Sequence, residues 1–171
     1  MYLSDKRNIL FDELSFEKKD NNRVEGSLFF GEGSANIIYQ DEQFLLVGAN
    51  FGDFFMNAIS SLSEFEGGIF SFAMGGKLDA FSGYLELDES TLMNYKLVNN
   101  MLAFINTIPS LITFSIPEYN NKGLYAKKVL LNFSTKNSLI LLDSARLDSK
   151  ELKMNGTGSL DYKKNSIDAL L

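Results

Sequence analysis

The amino-acid sequence predicts a mainly β, α+β domain: an antiparallel β-meander with two amphipathic helices near residues 51–65 and 92–108. Three observations predict this fold. Most segments alternate apolar and polar residues with a period of two, which is typical of strands with one buried face. Two segments change to the period of an amphipathic helix. The connections between predicted strands are only a few residues long, and short connections favour antiparallel neighbours.

The first part of the chain predicts four strands and the first helix. The strands are Ile9–Phe16, Val24–Phe30, Ser34–Tyr39 and Phe44–Val47. Gly31–Gly33 is a hairpin signal between the second and third strands. The helix is indicated by apolar residues that recur on one helical face, namely Phe51, Phe54, Phe55, Ala58, Ile59, Leu62 and Phe65. Asn50 is suited to cap this helix, Asp53 to stabilise its first turn, and Gly67-Gly68 to end it.

The middle of the chain predicts a hairpin and then the second helix. The strands of the hairpin are Ile69–Met74 and Leu78–Leu87. Gly75-Gly76 is the predicted turn between them. Asp88 or Ser90 would cap the second helix, which has a wide apolar arc. Pro109 would mark its end, because proline disfavours helix in the residue before it.

The last third of the chain has the clearest period-two alternation. Its predicted strands are Leu111–Ile116, Gly123–Ser134, Leu139–Leu147 and Glu151–Asp161, with the start of another at Ile167. By strict alternation, the apolar faces are Val129, Leu131 and Phe133, then Leu139, Leu141, Ala145 and Leu147, then Leu152 and Met154. Gly156 and Gly158 lie inside the last full strand, where glycines indicate a bulge or the close approach of another backbone or a ligand.

Charge and composition exclude several classes of function. The formal net charge is −6 and the pI is about 4.7, which argues against a nucleic-acid partner because such affinity comes from clustered Lys and Arg. The chain has no cysteine, so it forms neither a disulfide nor a thiolate metal site. It has no histidine, which removes the usual general base and the commonest metal ligand. No motif indicates a cofactor or a metal.

Acidic residues are the only plentiful catalytic type. Asp79, Glu86, Asp88 and Glu89 lie close together in the sequence. A paired-carboxylate site needs two such groups held opposite each other in a cleft, and nothing in this spacing forces that arrangement. We interpret the cluster as a solvated face and expect a protein that is not an enzyme. An acidic-residue hydrolase that uses Asp79 and Glu86 is the alternative.

The apolar faces carry the functional hypothesis. In one interpretation they fill an ordinary core. In the other, the sheet and helices leave an apolar trough wide enough for acyl chains, and phenylalanine and methionine suit such a surface because they are bulky and adaptable. Sequence alone leaves both interpretations open. The candidate residues of a lipid groove are Phe70, Phe72, Val129, Leu131, Phe133, Leu139, Leu141, Leu152 and Met154.

Two stretches resemble AsmA-like bacterial envelope proteins, in the branch with the YhdP and TamB families. The first is Asn106–Phe114, which reads Asn-Thr-Ile-Pro-Ser-Leu-Ile-Thr-Phe. The second begins with Leu-Asp-Ser-Ala-Arg-Leu at Leu142–Leu147 and continues through Gly156-Thr157-Gly158 to Leu160-Asp161. The resemblance covers residues 67–171 and assigns no catalytic residue.

This resemblance implies a fold, a location and an activity. Residues 1–171 would form a single β-groove domain of a longer protein, with a twisted, elongated antiparallel sheet curved into a groove. The full protein would be anchored in the inner membrane through sequence outside this chain and would reach into the periplasm. Its partners would be phospholipid and further β-groove segments.

The activity implied by the resemblance is non-enzymatic transfer of phospholipid toward the outer membrane. By analogy, the predicted helix at 92–108 would close one end of the groove. The alternative is a structural or protein-interaction module for outer-membrane assembly, with a filled core and no lipid.

Overall fold

The computed structural model describes residues 11–60, 65–93, 123–150, 153–161, 163 and 166–170. Within these residues the chain forms eleven strands and one helix. The elements in chain order are β1 (Glu13–Lys18), β2 (Val24–Phe30), β3 (Gly33–Gln40), β4 (Gln43–Phe51), α1 (Asp53–Ser60), β5 (Phe65–Glu66), β6 (Ile69–Lys77), β7 (Ala80–Leu92), β8 (Leu124–Lys136), β9 (Leu139–Ser149), β10 (Lys153–Asp161) and β11 (Ser166–Leu170). The predicted mainly β class is confirmed.

The strands form one open antiparallel sheet in the order β1-β2-β3-β4-β6-β7-β8-β9-β10-β11, and β5 pairs with β7. The predicted meander is therefore confirmed. Two-residue turns connect several neighbours. Phe30 pairs with Gly33 around Gly31, whose φ is 59°. Lys136 pairs with Leu139 around Asn137, whose φ is 57°. Residues with positive φ match the twist of paired strands in such short hairpins.

The register gives the sheet one apolar face and one polar face. Residues directly opposite each other on antiparallel neighbours project to the same face. One apolar row runs strand by strand through Leu14, Leu28, Ala35, Gly48, Phe72, Leu85, Leu131, Ala145 and Gly156. The adjoining row on the opposite face runs through Ser15, Ser27, Asn36, Val47, Ala73, Tyr84, Asn132 and Ser144. The apolar face thus crosses almost the whole sheet.

The main core lies where α1 covers the apolar face. Its buried residues are Ala35, Phe51, Phe55, Met56, Phe70, Phe72, Leu87 and Leu92. Phe51 is 0% exposed and stacks on Phe55 and Phe72, with ring centroids 4.0 Å and 5.8 Å apart. Glycines lie beneath these rings, because a Cβ at Gly33 would overlap Phe51 and a Cβ at Gly48 would overlap Phe72. The absence of a side chain at both positions lets the rings lie close to the sheet.

The first helix is shorter than the sequence predicts. Phe51 ends β4 and Phe65 begins β5, so α1 spans only Asp53–Ser60. Asn50 does not cap it: Asn50 lies in β4 with a φ of 62°, at an irregularity in the pairing with β6. The Gly52 carbonyl accepts the hydrogen bond from the Met56 N–H instead (3.2 Å). The apolar helical period extends beyond α1 on both sides because the adjoining strands bury their phenylalanines in the same core.

Two predictions in the middle of the chain are wrong. Asp88, Ser90 and Leu92 belong to β7 and neither cap nor begin a helix, because their backbone pairs with β8. Residues 94–108 of the second predicted helix and the predicted strand 111–116 lie outside the described residues. Gly75-Gly76 is part of β6, and the turn falls three residues later at Leu78-Asp79.

Candidate functional site

The apolar face contains a pocket of about 300 Å³. α1 contributes Met56, β5 contributes Phe65, and the other lining residues come from β6 to β10. These are Phe70, Leu85, Glu86, Leu87, Leu92, Val129, Leu131, Ala145, Arg146, Leu147, Met154 and Gly156. The pocket therefore joins residues from six strands and the helix, at the border between the α1-covered core and the later strands.

The pocket follows from the side-chain sizes along two neighbouring cross-strand rows. One row consists of Leu87, Val129, Leu147 and Met154, which are all large. The next row consists of Leu85, Leu131, Ala145 and Gly156. In this second row the side chains shrink from leucine on β7 and β8 to alanine on β9 and glycine on β10. Space therefore opens above the small residues while the large ones form its sides.

Two side chains of α1 hold the helix against β5 and the residue that follows it. The Asn57 amide donates to the Phe65 carbonyl (2.8 Å) and accepts from the Phe65 N–H (3.0 Å). The Asp53 carboxylate accepts from the Gly67 N–H (2.8 Å). Asp53 and Asn57 are four residues apart and so lie on one face of the helix. These bonds hold Met56 and Phe65 together at the pocket.

The lining is almost wholly apolar. Among its described residues, only Glu86 and Arg146 are charged, and both alternate with apolar residues along their strands. The Lys128 ammonium donates to the Glu86 carboxylate (2.8 Å) and lies 3.4 Å from the Asp88 carboxylate. The hydrogen bond to Glu86, with a further one to Asp88, raises the pKa of Lys128 above its ordinary value. Lys128 therefore stays cationic at neutral pH and compensates these two carboxylates.

The acidic cluster has a structural explanation. Glu86 and Asp88 share Lys128 on the polar face, and Asp79 lies in the turn between β6 and β7, where its carbonyl accepts from the Asn137 N–H (2.9 Å). Within the described part of the chain, no group of three or more acidic residues is arranged to hold a metal ion. The described residues also include no helix long and apolar enough to cross a membrane.

The structure brings together four of the nine candidate groove residues. Phe70, Val129, Leu131 and Met154 all line the pocket. Phe72 lies on the same face but within the aromatic core. Phe133 lies on the same face and meets Phe81 edge to face, with ring centroids 6.2 Å apart. Leu152 lies outside the described residues.

A bulge in β9 changes which residues of that strand face the pocket. Asn132 pairs with Ser144, whereas the next residue, Phe133, pairs with Leu142. Asp143 is therefore the extra residue of β9. The Asn132 amide donates to the Ser144 hydroxyl (2.8 Å), so the bulge keeps a polar pair on the polar face. An extra residue in one strand reverses the parity of every residue beyond it.

The bulge makes the prediction for Leu139 and Leu141 wrong. Leu139 pairs with Lys136 and Leu141 pairs with Ser134, and both pairs belong to the polar face. Leu141 is 39% exposed there. Strict alternation predicts that Leu139 and Leu141 lie on the same face as Ala145, because it takes no account of an extra residue in the strand. The sequence indicated a bulge or a close approach at Gly156 and Gly158. The register with β9 does shift between them, and the extra residue lies in β9.

Met56 lies outside the predicted helical stripe, which included Phe54 instead. Phe54 is 73% exposed, although it stacks on Phe30 with centroids 5.8 Å apart. Met56 is buried and lines the pocket. The helix contacts the sheet through a narrower face than its apolar residues suggest. Leu85 and Leu147 were also missed as pocket residues, although their alternation with polar neighbours was visible.

No family model, no curated protein and no solved structure matches this chain. The resemblance to AsmA-like envelope proteins stays a prediction.

Proposed function

We propose that this chain is a non-enzymatic lipid-binding segment that shields acyl chains on its apolar face. The observation that carries the proposal is the apolar pocket of about 300 Å³ in that face. Ligand pockets in proteins range from about 300 to 1,000 Å³ and are mostly apolar. Because the lining offers no paired catalytic groups and is nearly all hydrocarbon, it suits a hydrocarbon ligand better than a reactive polar one.

The energetics favour reversible binding. Each methylene removed from water contributes about 0.8 kcal/mol, so ten buried methylenes contribute roughly 8 kcal/mol before any cost. Association costs of about 4–15 kcal/mol offset most of that gain. A lipid held by one pocket alone would therefore bind weakly and leave readily. Such behaviour suits passage along a surface rather than storage.

The length of the apolar face suits an extended hydrocarbon chain. The part of this face beyond the buried core includes the row from Leu85 on β7 to Gly156 on β10. Adjacent strands lie about 4.8 Å apart, so this part of the row extends roughly 15 Å across the sheet. The hydrocarbon core of a bilayer is about 30 Å thick, and the acyl chains of one leaflet extend across about half of it. A phospholipid could therefore keep its acyl chains against the sheet along their full length while its headgroup remains in water.

The setting we propose is the periplasmic side of a bacterial cell envelope. The support for this setting is the resemblance of residues 67–171 to AsmA-like proteins. In this setting, phospholipid is the cargo, and the inner-membrane anchor and further β-groove segments lie in sequence beyond this chain. Together these segments would shield phospholipid between the inner and outer membranes.

Native mass spectrometry of the purified chain, followed by organic extraction and lipid analysis, tests the proposal. We expect co-purified phospholipid that is lost in Leu131→Asp, which places a charge in the pocket. Leu130→Asp is the matched control, because Leu130 is the neighbour of Leu131 in β8, projects from the opposite face and lies outside the pocket lining. Circular dichroism must show that both variants fold. Because weakly bound lipid can leave during purification, a folded wild-type chain counts against lipid binding if it is lipid-free and also takes up no phospholipid from added vesicles.

A second candidate function is a structural module that binds a protein strand, and one observation favours it. Every residue of β1 is exposed, including Leu14 at 52% and Phe16 at 64%. Among the described strands β1 pairs only with β2, so no described strand pairs with its other side, as at the edge of a sheet. This function predicts a concentration-dependent complex without lipid. Phe16→Lys would weaken that complex while leaving any lipid content unchanged.

A further inference from the structure

We infer that the pocket admits the end of a single unbranched acyl chain, and that Ala145 and Gly156 set how many of its carbons enter. The inference rests on the proposed lipid-binding function and identifies the part of the lipid that this site recognises. Both residues line the pocket, and they face each other across β9 and β10. They are the two smallest residues of its lining.

The capacity of the pocket argues for one chain. An apolar cavity of about 150 Å³ stays dry and binds one benzene molecule. On that scale, a pocket of about 300 Å³ holds roughly a dozen carbon atoms. Two acyl chains of a membrane phospholipid exceed this capacity, whereas the terminal part of one chain matches it. The second chain would remain outside the pocket, on the apolar face.

The chemistry of the lining argues for the tail rather than the headgroup. A headgroup brings charged or hydrogen-bonding groups, and burying these without partners is unfavourable. The two charged lining residues, Glu86 and Arg146, alternate with the apolar side chains, and the Glu86 carboxylate is bound to Lys128. A fatty acid and a lysophospholipid share the same tail chemistry, so both would enter with the methyl end first.

The positions of Ala145 and Gly156 explain why they would determine chain length. Ala145 and Gly156 continue the cross-strand row that contains Leu85 on β7 and Leu131 on β8. The two leucine side chains occupy the space above their own strands. A larger side chain at Ala145 or Gly156 would occupy the corresponding space above β9 or β10 and reduce the volume of the pocket. Changes to the large residues that form the sides would alter packing as well as volume. The two small residues are therefore the positions at which volume can be changed most selectively.

The test measures binding of fatty acids and lysophosphatidylcholines from octanoyl to stearoyl, by isothermal titration calorimetry on the full chain. For wild type, we expect affinity to rise with chain length and to level off near the dodecanoyl chain. In Ala145→Leu, the levelling should come at a shorter chain. Its affinity for dodecanoyl ligands should fall roughly a hundredfold, the effect of excluding three or four methylenes. Gly156→Val should act in the same direction.

Matched controls place the same side chains on the other face. Ser144→Leu and Asn155→Val change residues adjacent to the two pocket positions, and both residues are exposed and lie outside the pocket lining. These controls should keep the wild-type dependence on chain length. If affinity levels off at the same chain length for fatty acids and for lysophosphatidylcholines, the pocket recognises the tail alone. If that chain length differs between the two headgroups, recognition of the tail alone is overturned.

The outcomes separate this inference from the proposed function. Phospholipid binding with no levelling point, or with a point that Ala145→Leu and Gly156→Val leave unchanged, would overturn the inference while lipid binding stands. Absence of binding for every lipid by a folded wild-type chain would overturn both. If Ala145→Leu fails to fold, the Gly156→Val series decides between these outcomes.

Discussion

The two halves of the apolar face use small residues to opposite effect. In the aromatic half, formed by β2 to β6 and α1, Gly33 and Gly48 lie directly beneath the rings of Phe51 and Phe72. In the aliphatic half, formed by β7 to β10, the small residues line an open pocket. Gly48 and Gly156 belong to the same cross-strand row. A small residue on a sheet face thus gives a filled core or a pocket according to whether a ring lies over it.

The largest effect should come from removing a ring of the aromatic half. Phe51→Ala should lower the free energy of unfolding by about 3–5 kcal/mol, because it leaves a cavity among rings that have little freedom to collapse. Urea titration followed by circular dichroism measures this. Phe29→Ala is the control: Phe29 is exposed on the polar face, and its loss should cost far less. Equal costs would show that the aromatic half is not the stabilising core.

Adding a methyl group to the same half should have the next largest effect. Gly48→Ala should destabilise by about 1–3 kcal/mol, because the new Cβ would overlap Phe72 and press against Phe51 at 3.0 Å. Gly52→Ala provides the comparison, since no heavy atom lies within 4 Å of its Cβ position. That variant should change the free energy of unfolding by roughly 0.5 kcal/mol or less. A tolerated Gly48→Ala would contradict the close ring packing.

Enlarging a small residue of the aliphatic half should raise the free energy of unfolding, whereas the two changes in the aromatic half should lower it. Ala145→Leu fills apolar space and should stabilise the lipid-free protein by about 0.5–2 kcal/mol. Urea titration after delipidation measures this gain. Destabilisation comparable to that of Gly48→Ala would mean that the pocket closes in solution and that the two halves pack alike.

The smallest effect should come from the polar face. Lys128→Met removes the ion pairs with Glu86 and Asp88, which are partly exposed and screened by solvent. We expect no measurable change in the urea midpoint at neutral pH and an unchanged content of bound lipid. A loss of lipid in this variant would show that charge on the polar face affects the apolar face, contrary to their separation by the sheet.

Local patterns predicted most of the strands. The alternation of Val129, Leu131 and Phe133 and the turn at Gly31 describe neighbours in the chain, so period and turn chemistry were sufficient for them. The alternation failed at Leu139 and Leu141 because the bulge at Asp143 is a mismatch between strands. The cap assigned to Asn50 failed for a similar reason, since its positive φ belongs to an irregularity in the pairing of β4 with β6.

The amino-acid pattern was enough to specify a meander with one apolar face, because alternation and short connections act between near neighbours. Which parts of that face would be filled and which left open depended on contacts between distant segments. Phe51 covers Gly33, and α1 brings Met56 to the pocket that Ala145 and Gly156 also line. Such contacts depend on the register between strands and on the position at which α1 packs against the sheet. The size of each residue alone therefore does not distinguish a core position from a pocket position.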